Sequence, residues 1–473
     1  MTAGGGSQGS MPSVSGMITM NPAAIGAGTD SGHGSGSSFG VIMPPDTPAG
    51  LNYGKIEDWA GGRSNGIAVK LTKQVAKTYY GSPVKYTYWN GCSGGGHMGW
   101  AQVQNYPEEY DGALIGAPAH HWQQFRLADS WDELVFKKVA LQTAAITQGQ
   151  MNAANSAATA ACDAADGVVD GIVADPRACA WSATNNICGK TGAPAAPNCL
   201  NAIQAAGIDR IWDGPRNSKG KRIWHPYDRG INQGAKLTVD GSTNQVMQWN
   251  HADLTFDGNN LYADQESIDL AAAAGIDVTK AITYEDEAML GSHTTNDYTD
   301  TFDRELDAAR NRGMKIIQYH GTQDGAIHFR NSVDYYRRVA SYFGHGKADF
   351  NRLQDWYRLF LAPGQGHCGN PFPDALTALI DWVEDGDAPE SLLRTTMVRK
   401  GCPFPQTAIY VGGTPIDPTN PDNFTCGGDL DANPVALCQM PHTKYKHEDT
   451  AALNTSETNI PPGLCEKLEK KQK

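Results

Sequence analysis

The stretch "NGCSGGGHMGW" (90–100) holds the residue most able to do chemistry. Its Gly91-Cys92-Ser93-Gly94-Gly95 fits the G-x-S-x-G pattern of a sharp strand-to-helix turn that exposes a serine nucleophile. A hydroxyl becomes a useful nucleophile when a histidine takes its proton and an acid orients that histidine. In sheet hydrolases the three occur in the chain order Ser, Asp or Glu, His, each at the C-terminal end of a strand. Asp324 in "YHGTQDGAIH" and His367 in "APGQGHCG" supply that order. Cys92 is the rival nucleophile, but the middle position of the pentapeptide tops the turn, and Ser93 holds it. His320 and His328 flank Asp324 too closely to be its partner from a separate strand, and structural roles are expected for both.

A G-x-S-x-G arises often by chance in a chain with 53 glycines, so the elements that would carry the three residues decide the matter. "VKYTYWN" (84–90) alternates as a strand and runs into the serine turn. "GIAVKLTKQVAKTYY" (66–80) before it has helical periodicity, "GGHMGWAQVQNY" after it reads as a helix, and "GALIGAP" (112–118) reads as a buried strand. The rhythm stops from 119 to 312 and resumes with an apolar strand at "GMKIIQYHG" (313–321), which ends just before Asp324. Helix-like "HFRNSVDYYRRVASYF" follows, then the strand and loop "DWYRLFLAPGQGHCG" (355–369), which delivers His367, then helix-like "PDALTALIDWVEDG". Alternating strands and helices call for a parallel sheet. The expected organisation is a discontinuous catalytic domain (1–118 and 313–430), an inserted domain (119–312) and a C-terminal tail (431–473).

Composition narrows the function classes. The chain has 473 residues, 40% hydrophobic and 19% charged, with a net charge of −13. That balance is globular and offers no basic stripe to neutralise phosphates, so no nucleic-acid partner is expected. No apolar run approaches the roughly 18 residues of a membrane helix, and the N-terminus lacks the basic start and apolar core of a secretion signal. Ten cysteines with close pairs and no C-x-x-C favour disulfides over structural zinc. Together with the N-x-[ST] sequons at Asn423 and Asn454, they point to a secreted protein whose signal is not in this chain.

Cys92 precedes the serine and Cys368 follows the histidine. If Ser93 and His367 meet, the two sulfurs can meet in a disulfide that ties nucleophile loop to base loop. Closing a loop of about 275 residues is worth on the order of 5 kcal/mol in the chain-entropy account. Two buried free thiols are the alternative.

This Cys-Ser, Asp, His-Cys arrangement resembles the tannase and feruloyl esterase family. The resemblance runs from about residue 4 to residue 426, through "TDSGH", "NGCSGGG", "YPEEYDGALIGAPA", "YHGTQDGAI", "LFLAPGQGHCG", "WVEDGDAPE", "GCPFPQTAIYVGG" and "NFTC". It implies an α/β-hydrolase core, a large lid domain inserted before the acid, a Cys92–Cys368 bond and a Cys402–Cys426 bond. It further implies hydrolysis of esters of phenolic acids, feruloyl or galloyl, free or attached to plant polysaccharide or tannin. Members that cleave other aromatic monoesters share the architecture. "AGGGSQGS" (3–10) looks like the family's glycine loop, which would place Gly5 or Gly6 beside Gly94 as oxyanion donors. Members carry further strands before that loop, so the sheet is expected to lack its N-terminal strands.

In the insertion, "CDAADGVVDGIVADPRAC" (162–179) offers Asp163, Asp166 and Asp170 between two cysteines. Hard carboxylates at this spacing suit a calcium cage, although on the residues alone an acidic turn outweighs it and the EF-hand pattern is absent. The resemblance reverses that order. It implies a structural Ca2+ held by the side chains of Asp163, Asp166 and Asp170 and the carbonyls of Val168 and Ile172, with a Cys162–Cys179 bond stapling the loop. Cys188–Cys199 follows by proximity and Cys438–Cys465 by elimination. Of the insertion's aromatic residues (Trp122, Phe125, Trp131, Trp212, Trp224, Trp249 and Phe256), some could line an acyl pocket, while most are expected in the lid core. The competing functional class is a non-catalytic, calcium-stabilised relative that binds phenolic ligands or polysaccharide.

Overall fold

The structure is a computed structural model that describes residues 1–6, 11–13, 24–32, 58–120, 135–136, 139, 142–214, 224–231, 301, 303–394 and 399–432. Trp122, Phe125, Trp131, Trp249, Phe256, Asn454 and the pair Cys438 and Cys465 lie outside the described residues.

Helix α1 (Arg63–Tyr80) ends where Gly81 takes the left-handed conformation and donates its N–H to Lys77 O. Strand β1 (Tyr88–Cys92) follows, then α2 (Gly94–Asn105) and β2 (Gly112–Gly116). The insertion contributes α3 (Gln148–Cys162) and α4 (Ala202–Asp213). Each opens with a capping box, Thr147 with Gln150 and Asn201 with Gln204, which satisfies otherwise orphaned N–H groups. The sheet then resumes with α5 (Asp307–Asn311), β3 (Lys315–Gly321), α6 (Phe329–Phe343), α7 (Phe350–Gln354), β4 (Tyr357–Ala362) and α8 (Ala375–Glu384). Strands β5 (Thr407–Tyr410) and β6 (Phe424–Gly427) close the described chain as an antiparallel pair.

Strands β1 to β4 form one parallel sheet in sequence order. The α/β class expected from the alternating elements is what the chain adopts. The first strand begins at Tyr88 rather than at 84 and runs through Gly91 and Cys92 rather than stopping at 90, so the serine follows it directly. Strands β2 and β4 are buried at every position, as a sheet covered on both faces requires. Residue 1 meets the β1 edge through two backbone hydrogen bonds, Met1 N to Tyr88 O and Asn90 N to Met1 O. Among the described residues no helix is long and apolar enough to cross a membrane.

The register brings the strand ends level: Cys92 pairs with Gly116, Gly116 with Tyr319, and Gly321 with Ala362. The loops that leave those ends therefore start from a common edge, where open parallel sheets place their ligands. Behind it lies a core built around Trp59, Trp89, Trp100, Tyr335, Tyr336 and Tyr357, which also takes in α3 and α4 of the insertion. Trp212 and Trp224 are fully buried in this core, so neither presents a free ring to a ligand.

Candidate active site

The nucleophile position is built by backbone strain and small neighbours. Ser93 has φ 63° and ψ −124°, a conformation that L residues rarely adopt and that marks a tight strand-to-helix turn. Its N–H donates to Gly116 O at 3.0 Å and its carbonyl accepts from His97 N at 2.9 Å, so sheet and helix hold the turn from both sides. A Cβ on Gly94 would stand 2.0 Å from Gly6 O and 2.8 Å from Gly6 N. Only glycine allows the N-terminal loop to lie backbone to backbone against the residue after the serine. Gly6, φ 61°, is thus beside Gly94, as the glycine-loop resemblance implies.

Asp324 and His367 arrive on loops that are tied together. Gln323 N donates to Gln365 O at 2.9 Å and Gly364 N to Thr322 Oγ1 at 3.2 Å. A Cβ on Gly321 would meet Gln365 O at 2.3 Å, so the loop carrying His367 packs directly on the end of β3.

The structure brings the three residues into one hydrogen-bonded line. His367 Nε2 is 2.9 Å from Ser93 Oγ and His367 Nδ1 is 2.7 Å from Asp324 Oδ2. A carboxylate can only accept, so Nδ1 carries the ring proton and Nε2 is free to accept from the serine hydroxyl. Asp324 is fully buried, with Oδ1 accepting from Ala326 N at 2.8 Å and Ile327 N at 2.9 Å. Burial by itself pushes its pKa up. The charge of His367 and the hydrogen bonds from His320 and His367 outweigh that and hold the carboxyl well below the usual range. His367 keeps its side chain 30% exposed, so the outer end of the line is open to a substrate.

Cys92 and Cys368 are joined, with Cα atoms 6.0 Å apart. The cysteine beside the serine is therefore neither a rival nucleophile nor a free thiol. Cys162–Cys179, Cys188–Cys199 and Cys402–Cys426 are joined as well, and no described cysteine is free.

His320, on the strand that leads to Asp324 and expected to have a structural role, has Nε2 3.1 Å from Asp324 Oδ2. The loop after β3 doubles back, so a spacing of four brings the two side chains together without a helix. His328 instead precedes α6 and packs against Tyr227, with ring centroids 3.9 Å apart and planes tilted by 40°. His97 and His120 are fully buried, held to the Ala119 and Thr301 carbonyls. Burial lowers their pKa values to about 4 and about 3.

The acidic loop of the insertion turns its three carboxylates onto its own backbone N–H groups. Asp163 accepts from the N–H groups of Asp170, Gly171 and Ile172, Asp166 from Val168 N, and Asp170 from Ile172 N. The donor set suits a hard cation in kind. A cation is already present in the form of Arg399, which sequence reasoning missed. Its guanidinium bonds Asp170 Oδ2 at 3.0 and 2.8 Å and also reaches Asp166 Oδ2. Among the described residues no three His, Cys, Asp or Glu side chains stand poised as a metal cage.

A groove of about 700 Å³ runs beside the β1 edge, lined by Lys73, Ala76, Tyr86, Asn90 and Ile380 among others; Ser93, Asp324 and His367 do not line it. Hydrogen bonding and strand ends locate the chemistry here, not this groove.

A family model described as "Tannase and feruloyl esterase" matches residues 2–457. The chain is 29% identical over 449 residues to a probable feruloyl esterase of Arthroderma benhamiae, covering 87% of this chain and 77% of that protein. It is 28% identical over 497 residues to a mono(2-hydroxyethyl) terephthalate hydrolase of Piscinibacter sakaiensis, covering 90% and 78%. The crystal structure of an esterase from Aspergillus oryzae superposes with a TM-score of 0.70 at 25% identity, covering 90% of this chain and 83% of that one.

Proposed function

The chain belongs to the tannase and feruloyl esterase family, and on that premise we propose that it is a serine carboxylesterase hydrolysing esters of phenolic acids through an acyl-enzyme. The observation that carries the reading is the line Ser93 Oγ–His367 Nε2–Asp324 at the ends of β1, β4 and β3 on one edge of the sheet.

In this reading His367 Nε2 takes the Ser93 proton as Oγ attacks the ester carbonyl. The negative charge that develops on the carbonyl oxygen falls to the N–H groups of Gly94 and Gly6, which stand side by side. The tetrahedral adduct collapses, and the His367 imidazolium returns the proton to the departing alcohol oxygen. Asp324 remains ionised throughout and stabilises that imidazolium. Water, deprotonated by His367, then attacks the acyl carbon; the bond to Ser93 Oγ breaks, His367 returns the proton to that oxygen, and the phenolic acid is released.

Residues 1–118 and 313–430 form the catalytic domain in this reading, and 119–312 the lid. The buried pair Arg330–Asp228 and the hydrogen bond from Arg177 Nη2 to Leu430 O at 2.8 Å support a lid firmly seated on the catalytic domain. Four disulfides support an oxidising, extracellular destination. Ca2+, when bound, would be held by Asp163, Asp166 and Asp170 with the carbonyls of Val168 and Ile172, sharing two carboxylates with Arg399. It would lend rigidity to the loop and take no part in the reaction.

Turnover of methyl ferulate, methyl caffeate, methyl gallate and chlorogenate by the purified protein tests the reading, with Ser93→Ala as control. Hydrolysis of at least one ester, lost in Ser93→Ala, is expected; binding without turnover would instead support the non-catalytic class. A second reading, an esterase for monoesters of aromatic diacids, rests on the Piscinibacter relative of comparable identity. Mono(2-hydroxyethyl) terephthalate belongs in the same panel.

A further inference from the structure

The acid of the site receives two imidazole N–H groups, and the proposed reaction uses only one. His320 Nε2 lies 3.1 Å from Asp324 Oδ2 and 3.0 Å from Ile327 O. Both of those atoms can only accept, so Nε2 carries a hydrogen. The other ring nitrogen, Nδ1, lies 2.8 Å from Ser332 Oγ.

That serine belongs to a buried chain whose direction is set at its far end. Gln318 and His320 are two apart on β3, so their side chains leave the same face of the sheet, the face on which α6 brings Ser332. The Tyr357 hydroxyl donates to Gln318 Oε1, and Gln318 Nε2 donates to Ser332 Oγ at 2.7 Å. Ser332 accepts there, which leaves its own hydrogen for His320 Nδ1. Every donor from Tyr357 to His320 thus points toward Asp324, and the side chains of Gln318, His320, Asp324, Ser332 and Tyr357 are all fully buried.

We propose that His320 is a positioning residue for the esterase reaction, acting through Asp324, and that the Tyr357–Gln318–Ser332 chain fixes which ring nitrogen it turns to the carboxylate. The inference rests on the functional reading above. A dry carboxylate stays ionised only if its lone pairs are met, and His320 supplies one of four donors on Asp324 beside His367, Ala326 and Ile327. Sharing Oδ2 also tempers the pull of Asp324 on His367, which keeps the base from binding its proton too tightly. The other titratable groups nearby are His120 and the buried Tyr335, Tyr336 and Tyr357. Burial lowers the pKa of the first and raises those of the tyrosines, so all are uncharged near neutrality.

The test compares His320→Leu, His320→Gln and Ser332→Ala by kcat, KM and the pH profile of kcat/KM on whichever ester the wild type turns over. His320→Leu removes the donor. It is expected to lower kcat about 10- to 100-fold with KM changed less than threefold, in keeping with the cost of slight misplacement. The acid limb of kcat/KM is expected to move to higher pH, because a carboxylate with one donor fewer holds the His367 proton more strongly. His320→Gln restores an N–H and should recover most of kcat and the wild-type acid limb. Ser332→Ala leaves the ring but frees its tautomer, and a three- to tenfold loss in kcat is expected. Wild-type kcat and acid limb in a folded His320→Leu, or a glutamine variant as impaired as the leucine one, would overturn the proposal. If His320→Leu does not fold, unchanged kcat in Ser332→Ala overturns it. Turnover surviving in Ser93→Ala would overturn the functional reading instead, so the two failures are distinct.

Discussion

Ser93 Oγ and His367 Nε2 stand 2.9 Å apart although 274 residues separate them, and the residues beside them, Cys92 and Cys368, are covalently joined. The bond fixes the distance between the two turns that carry Ser93 and His367. Its loop of 276 residues implies roughly 5 to 6 kcal/mol of denatured-state restriction. In the double variant Cys92→Ser/Cys368→Ser, kcat should fall by 10- to 100-fold with a smaller change in KM, and the melting temperature should drop by several degrees. Replacing the pair avoids reducing the other bridges. A variant with wild-type kcat and melting temperature would show that sheet and loops hold the geometry unaided.

The close approach of Gly6 to Gly94 makes a second expectation. Gly94→Ala would put a methyl 2.0 Å from Gly6 O, so the N-terminal loop must move away from the turn. Losing one oxyanion donor costs about 100- to 1000-fold in kcat. Gly413, where a Cβ meets nothing within 4 Å, provides the comparison, and Gly413→Ala should match the wild type. Steady-state kinetics on both variants decide it: equal kcat would remove Gly6 and Gly94 from the oxyanion assignment.

Stability should also depend on pH in a predictable direction. His97 and His120 are neutral in the folded protein down to about pH 4 and about pH 3 because burial disfavours their charged forms. In the unfolded chain each takes a proton below about pH 6.5. Between those limits the unfolded state binds more protons, so stability falls as pH drops below 6.5, by up to about 1.4 kcal/mol per pH unit for each proton. Asp324 acts in a lower window. Its depressed folded pKa means that its stabilisation is complete above the ordinary carboxylate value of 3.8 and is lost as pH falls further. Urea midpoints at pH 7, 5.5 and 4.5 should decline steadily, and less steeply in His120→Gln. A flat profile from pH 7 to 4.5 would contradict it.

The parts of this arrangement that follow from local pattern could be read in advance. The nucleophile turn, the apolar runs of β2, β3 and β4, and the order Ser93, Asp324, His367 are all short-range signals, and the parallel sheet follows from their alternation. Even there, β1 extends to Cys92, because the strand ends where the backbone strain of Ser93 begins rather than where apolar alternation stops. What escaped were contacts between polar groups. His320 and Asp324 are near in sequence, but only the fold of the loop turns them toward each other. Arg399 lies 229 residues from Asp170 and 233 from Asp166, and nothing in its surroundings marks it as their counter-cation.

That arginine frames the last prediction. Arg399 is 2% exposed and spans two of the three aspartates that would hold calcium. If Ca2+ joins it, the loop carries two cationic groups against three carboxylates, and a chelator should lower the melting temperature while the rate of phosphonate labelling at Ser93 stays unchanged. Arg399→Met removes the guanidinium and leaves two half-buried carboxylates uncompensated, which should lower the melting temperature by less than the loss of a fully buried ion pair would. Calcium should then recover part of the lost stability, so the variant is expected to be more chelator-sensitive than the wild type. Differential scanning fluorimetry of both proteins with EGTA and with calcium checks this. If neither melting temperature responds to calcium or chelator, the guanidinium alone neutralises the loop, and Asp163, Asp166 and Asp170 are an acidic turn closed by an arginine.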